Sequence, residues 1–423
     1  MKAGFYTIMA AQFFSSLADN ALLIAAIALL RQLEEPAWMT PALKQCFVVS
    51  YVVLAPLVGA FADSMPKGRV MLVTNAIKVV GCMLMLFSVH PLLSYAVVGF
   101  GAAAYSPAKY GILTELLPAR QLVVANGWIE GTTVASIILG VLTGGLLISE
   151  RASAFLLGFD VPVIDTGINT PPEAAIVVIA VFYVIAAAFN WYIPDTGVDH
   201  RVPSKNPFYL IREFAHCVVL LWRDKLGQIS LATTTLFWGA GATLQFIVID
   251  WASKALGYNL SQATSLQGVV AAGIAVGAVL AARFVALRKS VTVLPIGVAM
   301  GLIVIAMIFV TKVPFAIVLM IAIGACAGFF VVPMNALLQH RGHVLMGAGH
   351  SIAVQNFNEN IGILIMVGMY LFMVRGGMSV NRAIVMFGLF VAASMLLVLW
   401  RHLHNQSKGD SLRLIPEEGD GRH

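Results

Sequence analysis

The chain alternates long apolar runs with short polar breaks, and most of the runs are long enough to cross a bilayer. At roughly 20 residues per crossing, the pattern predicts twelve spans. Six fall near 6–31, 44–64, 69–89, 92–117, 122–149 and 174–193, and six more near 227–251, 262–287, 291–311, 314–339, 347–373 and 379–402. A polar connection over 194–225 separates the two sets, and a polar tail follows over 404–423. The expected fold class is an all-α membrane protein with twelve transmembrane helices in two six-helix halves, 1–193 and 226–403, joined by a cytoplasmic linker. The first run contains the small-x-small sequence Ser16-Leu17-Ala18, but it stays apolar from Ala21 to Leu30. That length reads as an uncleaved first helix rather than a signal peptide.

Composition agrees with this pattern. Of 423 residues, 60% are hydrophobic and only 11% charged, where a soluble domain carries about 25% charged residues. The net charge of +6 is spread over short loops rather than along one face, so it does not point to a nucleic-acid partner. With the N-terminus inside, 17 lysines and arginines fall in cytoplasmic positions and 7 outside, which places both termini in the cytoplasm. Lys78 and Lys109 are left at membrane depth. Cys46, Cys82, Cys217 and Cys326 lie far apart with no CxxC pair, and read as small core residues. His340, His343 and His350 have no Cys, Asp or Glu at ligand spacing and read as interfacial. No nucleophile elbow, phosphate loop or zinc helix occurs. The chain is therefore expected to have no catalytic residues, metal or cofactor.

The polar residues inside the apolar runs are the candidate chemistry. Tyr105-Ser106-Pro107-Ala108-Lys109-Tyr110-Gly111-Ile112-Leu113 puts a proline and a cation where hydrocarbon surrounds the helix. A cation there costs about 3 kcal/mol or more, so it faces a partner or a wet cavity, or else snorkels to the headgroups. Asp19-Asn20 sits in the middle of the first span. Three readings stand open for it: a substrate contact, a proton site, or an ion pair with a lysine or arginine of a neighbouring helix. Asn126 with Glu130, and Gln355 with Glu359, are i, i+4 pairs, each on one helix face. Gln355, Asn356, Asn358, Glu359 and Asn360 crowd one stretch of the eleventh span, more polar residues than helix–helix hydrogen bonding requires, and are expected to line a cavity.

A single offset of 226 residues relates the two halves: Pro107 falls on Pro333, Lys109 on Asn335, and Asp19 on Gln245. Between spans two and three runs Gly59-Ala60-Phe61-Ala62-Asp63-Ser64-Met65-Pro66-Lys67-Gly68-Arg69. Gly59 permits close helix packing, Asp63 can pair with a cation, and Lys67 and Arg69 hold a tight loop at the headgroups. An ordinary charged loop on the positive-inside side is the plain alternative. The spacing resembles the G-x3-D-x3-(K/R)-G-(K/R) signature of the major facilitator superfamily, which makes Asp63, Lys67 and Arg69 candidate gating residues. The equivalent second-half loop, Gly277 to Lys289, has no aspartate.

Asp19-Asn20-Ala21-Leu22-Leu23, the loop at 59–69, the S-P-A-K-Y-G-I-L string and Pro333-Met334-Asn335-Ala336-Leu337-Leu338-Gln339 together resemble the bacterial lysophospholipid transporter family over nearly the whole chain. The resemblance implies an inner-membrane flippase that moves lysophosphatidylethanolamine and lysophosphatidylglycerol from the outer to the inner leaflet. It also implies a separate cytoplasmic-side acyltransferase as partner. The expected transporter is a monomer among membrane lipids. Its expected substrate-binding set is Asp19, Asn20, Lys109, Tyr110, Asn126, Glu130, Gln245, Asn335, Gln355 and Glu359. One departure matters, because relatives carry a basic residue where this chain has Gln245, so an Asp19 charge lock to the seventh span weakens to a hydrogen bond. Two other readings stand beside it. A proton-coupled exporter of amphipathic molecules would use Asp19 or Glu359 as its proton site. A membrane acyltransferase would need a histidine and carboxylate at H-x4-D spacing, which the chain lacks.

Overall fold

The computed structural model describes residues 3–116, 119–158, 168–197, 206–346 and 348–408, and all of the regular structure among them is helical. In chain order the helices are α1 (Ala3–Gln32), α2 (Met39–Asp63), α3 (Lys67–Leu86), α4 (Pro91–Leu116), α5 (Ala119–Leu147), α6 (Glu150–Leu157) and α7 (Pro171–Trp191). They continue with α8 (Pro207–Arg223), α9 (Gly227–Leu256), α10 (Leu260–Phe284), α11 (Leu294–Ile305), α12 (Val313–Met346), α13 (Ala348–Arg375) and α14 (Val380–Ser407). Every predicted span coincides with helix.

Local chemistry sets several of the boundaries. Pro171 opens α7, where its missing N–H costs nothing, and the Glu173 carboxylate accepts the N–H groups of Asn169 and Thr170. At α10 the Asn259 side chain accepts the Gln262 N–H while Gln262 accepts that of Asn259, a reciprocal cap. α4 and α12 run through Pro107 and Pro333 without a break. The ninth predicted span is not one continuous α-helix. It has a 3-10 turn at Leu287–Val293, then α11, then a second 3-10 turn at Ala306–Phe309, with α geometry beginning where Pro295 fits the first turn. At the end of the fifth span the chain turns by 67° from Gly131–Leu147 into Glu150–Leu157.

Among the described residues, ten helices are long and apolar enough to cross a bilayer, or eleven if that bent pair counts as one span. α4 is not among them, because Tyr95, Tyr105, Ser106, Pro107 and Lys109 dilute its apolar residues.

The chain divides into two compact units. The first takes the chain to Arg212 together with Gly257–Gly268 and Val367–Gly377, and the second takes Glu213–Leu256, Val269–Met366 and the chain from Met378. In the first unit α1 is the central helix: Ala18 and the whole run from Ala21 to Ile27 are shut off from solvent by α5 and α7. In the second, Leu226, Ile229, Leu294, Phe330, Met334, Leu337 and Met395 form one apolar core among α9, α11, α12 and α14. Within that unit α10 and α12 meet along glycines spaced four apart, Gly273 and Gly277 facing Gly324 and Gly328. A Cβ added at Gly328 would overlap the Ile274 carbonyl, and one at Gly277 the Ala325 carbonyl, so only glycine permits this approach.

The linker differs from the expectation of an undivided polar connection. Its second part is the 17-residue helix α8. Phe214, Cys217, Val218 and Leu221 recur on one face at spacings of three and four, and they pack against Leu231, Leu338 and Val354. This periodicity is visible in the sequence once polar composition stops hiding it.

Candidate functional site

In the first unit the membrane-depth charges meet. Ser15 and Asp19 lie one turn apart on α1, and Asn75 and Lys78 one turn apart on α3, so the two rows face each other. The Lys78 ammonium donates to Asp19 Oδ2 at 2.9 Å and to Ser15 Oγ at 2.9 Å, and Ser15 in turn donates to Asn75 Oδ1 at 2.7 Å. Tyr183 of α7 donates to the other carboxylate oxygen, Asp19 Oδ1, at 2.7 Å, and Tyr95 of α4 donates to the Asp19 carbonyl at 3.0 Å. The ammonium lies 5.1 Å from the Tyr105 ring centre and 5.5 Å from that of Tyr183, within cation–π range. Lys78 is 1% exposed. Of the three readings of Asp19, the geometry matches the ion pair with a neighbouring helix. Both of its oxygens have partners inside this unit, so Asp19 needs no cation at position 245. Lys78, which the sequence leaves inside an apolar run without a partner, supplies the cation of this pair.

Asn20, the next residue, turns away and donates to the Ser16 carbonyl at 2.9 Å. Lys109 is buried on α4, its ammonium 4.4 Å from the ring centre of Tyr110. Gln12 ties α1 to α5 by donating to Thr133 Oγ1 at 2.5 Å and the Ile129 carbonyl at 3.3 Å. The side chains of Asn126 and Glu130 on α5, and of Asp63 at the end of α2, lie outside the described residues.

Lys67 braces the loop between α2 and α3. It is buried, donates to the Ala62 carbonyl at 2.8 Å, and sits 3.7 Å from Glu115 Oε1 on α4, while Glu115 Oε2 accepts the Thr196 hydroxyl at 2.6 Å. A Cβ at Gly111, the glycine of the S-P-A-K-Y-G-I-L string, would press on the Lys67 stem. Arg69 points to solvent.

In the second unit the polar stretch of α13 splits by function. Gln355 Nε2 donates to Glu359 Oε1 at 2.8 Å and to Asn335 Oδ1 of α12 at 3.3 Å, and both Gln355 and Glu359 are buried. Asn358 instead accepts the Trp222 indole N–H of α8 at 3.0 Å and donates to its own helix at Val354. Asn360 likewise caps its own helix through Asn356. Gln355, Glu359 and Asn335 of the predicted set come together here. Gln245 lies half-buried on α9.

A second ion pair, missed from sequence, clamps this unit. Arg341 of α12 donates through Nε to Asp224 Oδ1 at 3.0 Å and through Nη2 to Asp224 Oδ2 at 2.6 Å. Asp224 also accepts the N–H of Gly227 at 2.7 Å and of Leu226 at 3.2 Å, capping α9. Burial by itself raises the Asp224 carboxyl pKa, but the Arg341 and backbone hydrogen bonds outweigh it and hold the group below its ordinary value.

The stabilisation from this pair is complete above the pKa of the unfolded carboxyl, near 4, and is lost as pH falls through the lower folded value. Thermal unfolding in detergent is therefore expected to show a melting temperature that drops on acidification below about pH 4, with a smaller drop in Asp224→Asn. Asp224→Ala removes the carboxylate from the buried Arg341 and should cost about 3 kcal/mol at neutral pH.

Ten or eleven helices of bilayer length and apolarity among the described residues define a polytopic membrane protein. A profile of the Major Facilitator Superfamily matches residues 8–367. The fold is shared with a crystal structure of the POT family transporter PepTSo, at TM-score 0.71 and 13% identity, covering 97% of this chain and 99% of that one. It is shared also with the nucleoside transporter NupG, at TM-score 0.68 and 11% identity, covering 95% and 99%. Two curated relatives are named lysophospholipid transporter LplT. The protein of Yersinia enterocolitica is 43% identical over 381 residues, 90% of this chain and 89% of its own. That of Yersinia pestis is 44% identical over 374 residues, 88% and 87%. The chain belongs to the lysophospholipid transporter family of the major facilitator superfamily. Its relatives are named as transporters, in agreement with the expectation that it is not an enzyme.

Proposed function

We propose that this chain is a flippase of the bacterial inner membrane. It takes lysophosphatidylethanolamine and lysophosphatidylglycerol from the outer to the inner leaflet, where a separate acyltransferase restores the second chain. The observation that carries this reading is the 43% identity with a lysophospholipid transporter across nine-tenths of the chain. The buried Lys109 supports it, because an ammonium at membrane depth attracts a lipid phosphate as a point charge. Asn335, Gln355 and Glu359 offer amide and carboxylate groups for the rest of the headgroup, and methionine and phenylalanine side chains suit acyl chains of varied length.

Access alternates by rocking of the two halves. Lys67 is the gating residue with a visible grip, and Asp63 and Arg69 complete the loop. Both termini face the cytoplasm, on the side richer in lysine and arginine, and the transporter works as a monomer.

The test is uptake of labelled lysophosphatidylethanolamine into spheroplasts expressing the chain, with and without a protonophore. Uptake that survives the protonophore is the expected result. Uptake abolished by it keeps the lipid substrate but makes a carboxylate such as Glu359 a coupling site. No uptake of either lysolipid overturns the substrate.

A further inference from the structure

α8 has a second apolar row that stays exposed along its length. Beside the packed face of Phe214, Cys217, Val218 and Leu221, the residues Phe208, Ile211, Ala215, Val219 and Trp222 recur at spacings of three and four. All five are exposed, Phe208 at 80% and Trp222 at 40%. Arg212, His216 and Arg223 edge this row and are also exposed. Scattered apolar residues on a surface need no explanation, but a continuous row along a whole helix does.

The row is held in a fixed place. Trp222 is pinned by its hydrogen bond to Asn358. Two residues later Asp224 is clamped by Arg341 and caps α9, which has the length and apolarity of a membrane span. A helix tied that closely to the start of a span lies at the level of the headgroups. An aromatic-rich apolar row edged by arginines matches the interface, where rings sit at headgroup depth and arginines reach phosphates.

We propose that α8 is a membrane-surface helix. Its Phe208, Ile211, Ala215, Val219 and Trp222 row sinks into the leaflet, and Arg212 and Arg223 bind the phosphates of acidic phospholipids there. The inference depends on the chain spanning a membrane and does not depend on the lysolipid being its substrate.

The test uses the full chain with its four cysteines replaced by alanine and a bimane label at Val219→Cys or, for comparison, His216→Cys. It is reconstituted in vesicles of phosphatidylethanolamine and phosphatidylglycerol. A lipid nitroxide near the headgroup should quench the Val219 label about threefold more than the His216 label, and aqueous iodide should do the reverse. Adding Arg212→Gln and Arg223→Gln should lower nitroxide quenching in these vesicles but not in vesicles free of acidic lipid.

Equal quenching at the two positions overturns the proposal. Shielding of Val219 from both quenchers overturns it too, by assigning the row to a protein or a second copy. If the cysteine-free chain does not fold, amide exchange over 213–223 in the unsubstituted chain decides. Slower exchange in acidic than in zwitterionic nanodiscs is expected, and equal exchange overturns the proposal.

Discussion

Replacing Lys78 by methionine will unfold or silence the transporter more severely than any other single change in the first unit. The substitution removes the cation from a carboxylate with 14% side-chain exposure at membrane depth, leaving only the Tyr183 hydroxyl to face Asp19 Oδ1. Breaking a buried pair on one side costs about 3–5 kcal/mol, a large share of a membrane protein's stability. Asp19→Asn should do similar damage from the other side, because it strands the ammonium among Ser15, Tyr105 and Tyr183.

The informative variant is the double one, Asp19→Asn with Lys78→Met, which removes both charges. Its melting temperature in detergent should recover most of what either single variant loses. A double variant no more stable than the singles would mean that the pair is not what holds α1 to α3. Lysolipid uptake by the recovered double variant then separates two roles for Asp19. Restored uptake makes the pair a support, and absent uptake with restored stability makes the carboxylate a headgroup contact.

Lys109→Ala has the second largest expected effect, and it is of a different kind. The Lys109 ammonium lies 4.4 Å from the ring centre of Tyr110, and the melting temperature of the variant, measured beside its uptake, separates lost transport from lost fold. A hydrogen bond from an ammonium to a phosphate contributes about 1.5–3 kcal/mol, so uptake should fall by roughly ten- to a hundredfold. Lys109→Arg should retain part of the activity, since the charge stays while the point-like ammonium is replaced by a planar fork. Normal uptake by the alanine variant removes Lys109 from the substrate path.

The legible parts of this protein were those written locally. Each predicted span is a largely apolar stretch of bilayer length, and a single such stretch satisfies its own backbone in hydrocarbon as a helix, so the element positions follow from the hydropathy pattern. α8 stayed hidden because its arginines, histidine and glutamate make the linker look uniformly polar, although its apolar residues keep helical spacing. Depth was readable for Asp19, Lys78 and Lys109, but helix rotation was not. Depth cannot say that Lys78 rather than another cation faces Asp19, 59 residues away.

Asp224 and Arg341, 117 residues apart, were beyond any local pattern, since each alone is an ordinary loop or headgroup charge. The polar stretch of α13 looked like one wall, yet its residues point around the helix. Gln355 and Glu359 share a face, whereas Asn358, three residues from Gln355, serves α8.

The glycine seam between α10 and α12 has a mechanical meaning. Where side chains separate two helices, small rotamer changes let one slide past the other, and packed interfaces can shear. Here carbonyls meet glycine Cα atoms directly, so no compliant layer exists between the two backbones. The pair behaves as a laminate: it can tilt or translate as one plank but cannot slip internally without lifting apart. Motion within the second unit is thereby confined to its other helix contacts, and the seam is the line along which that unit stays stiff.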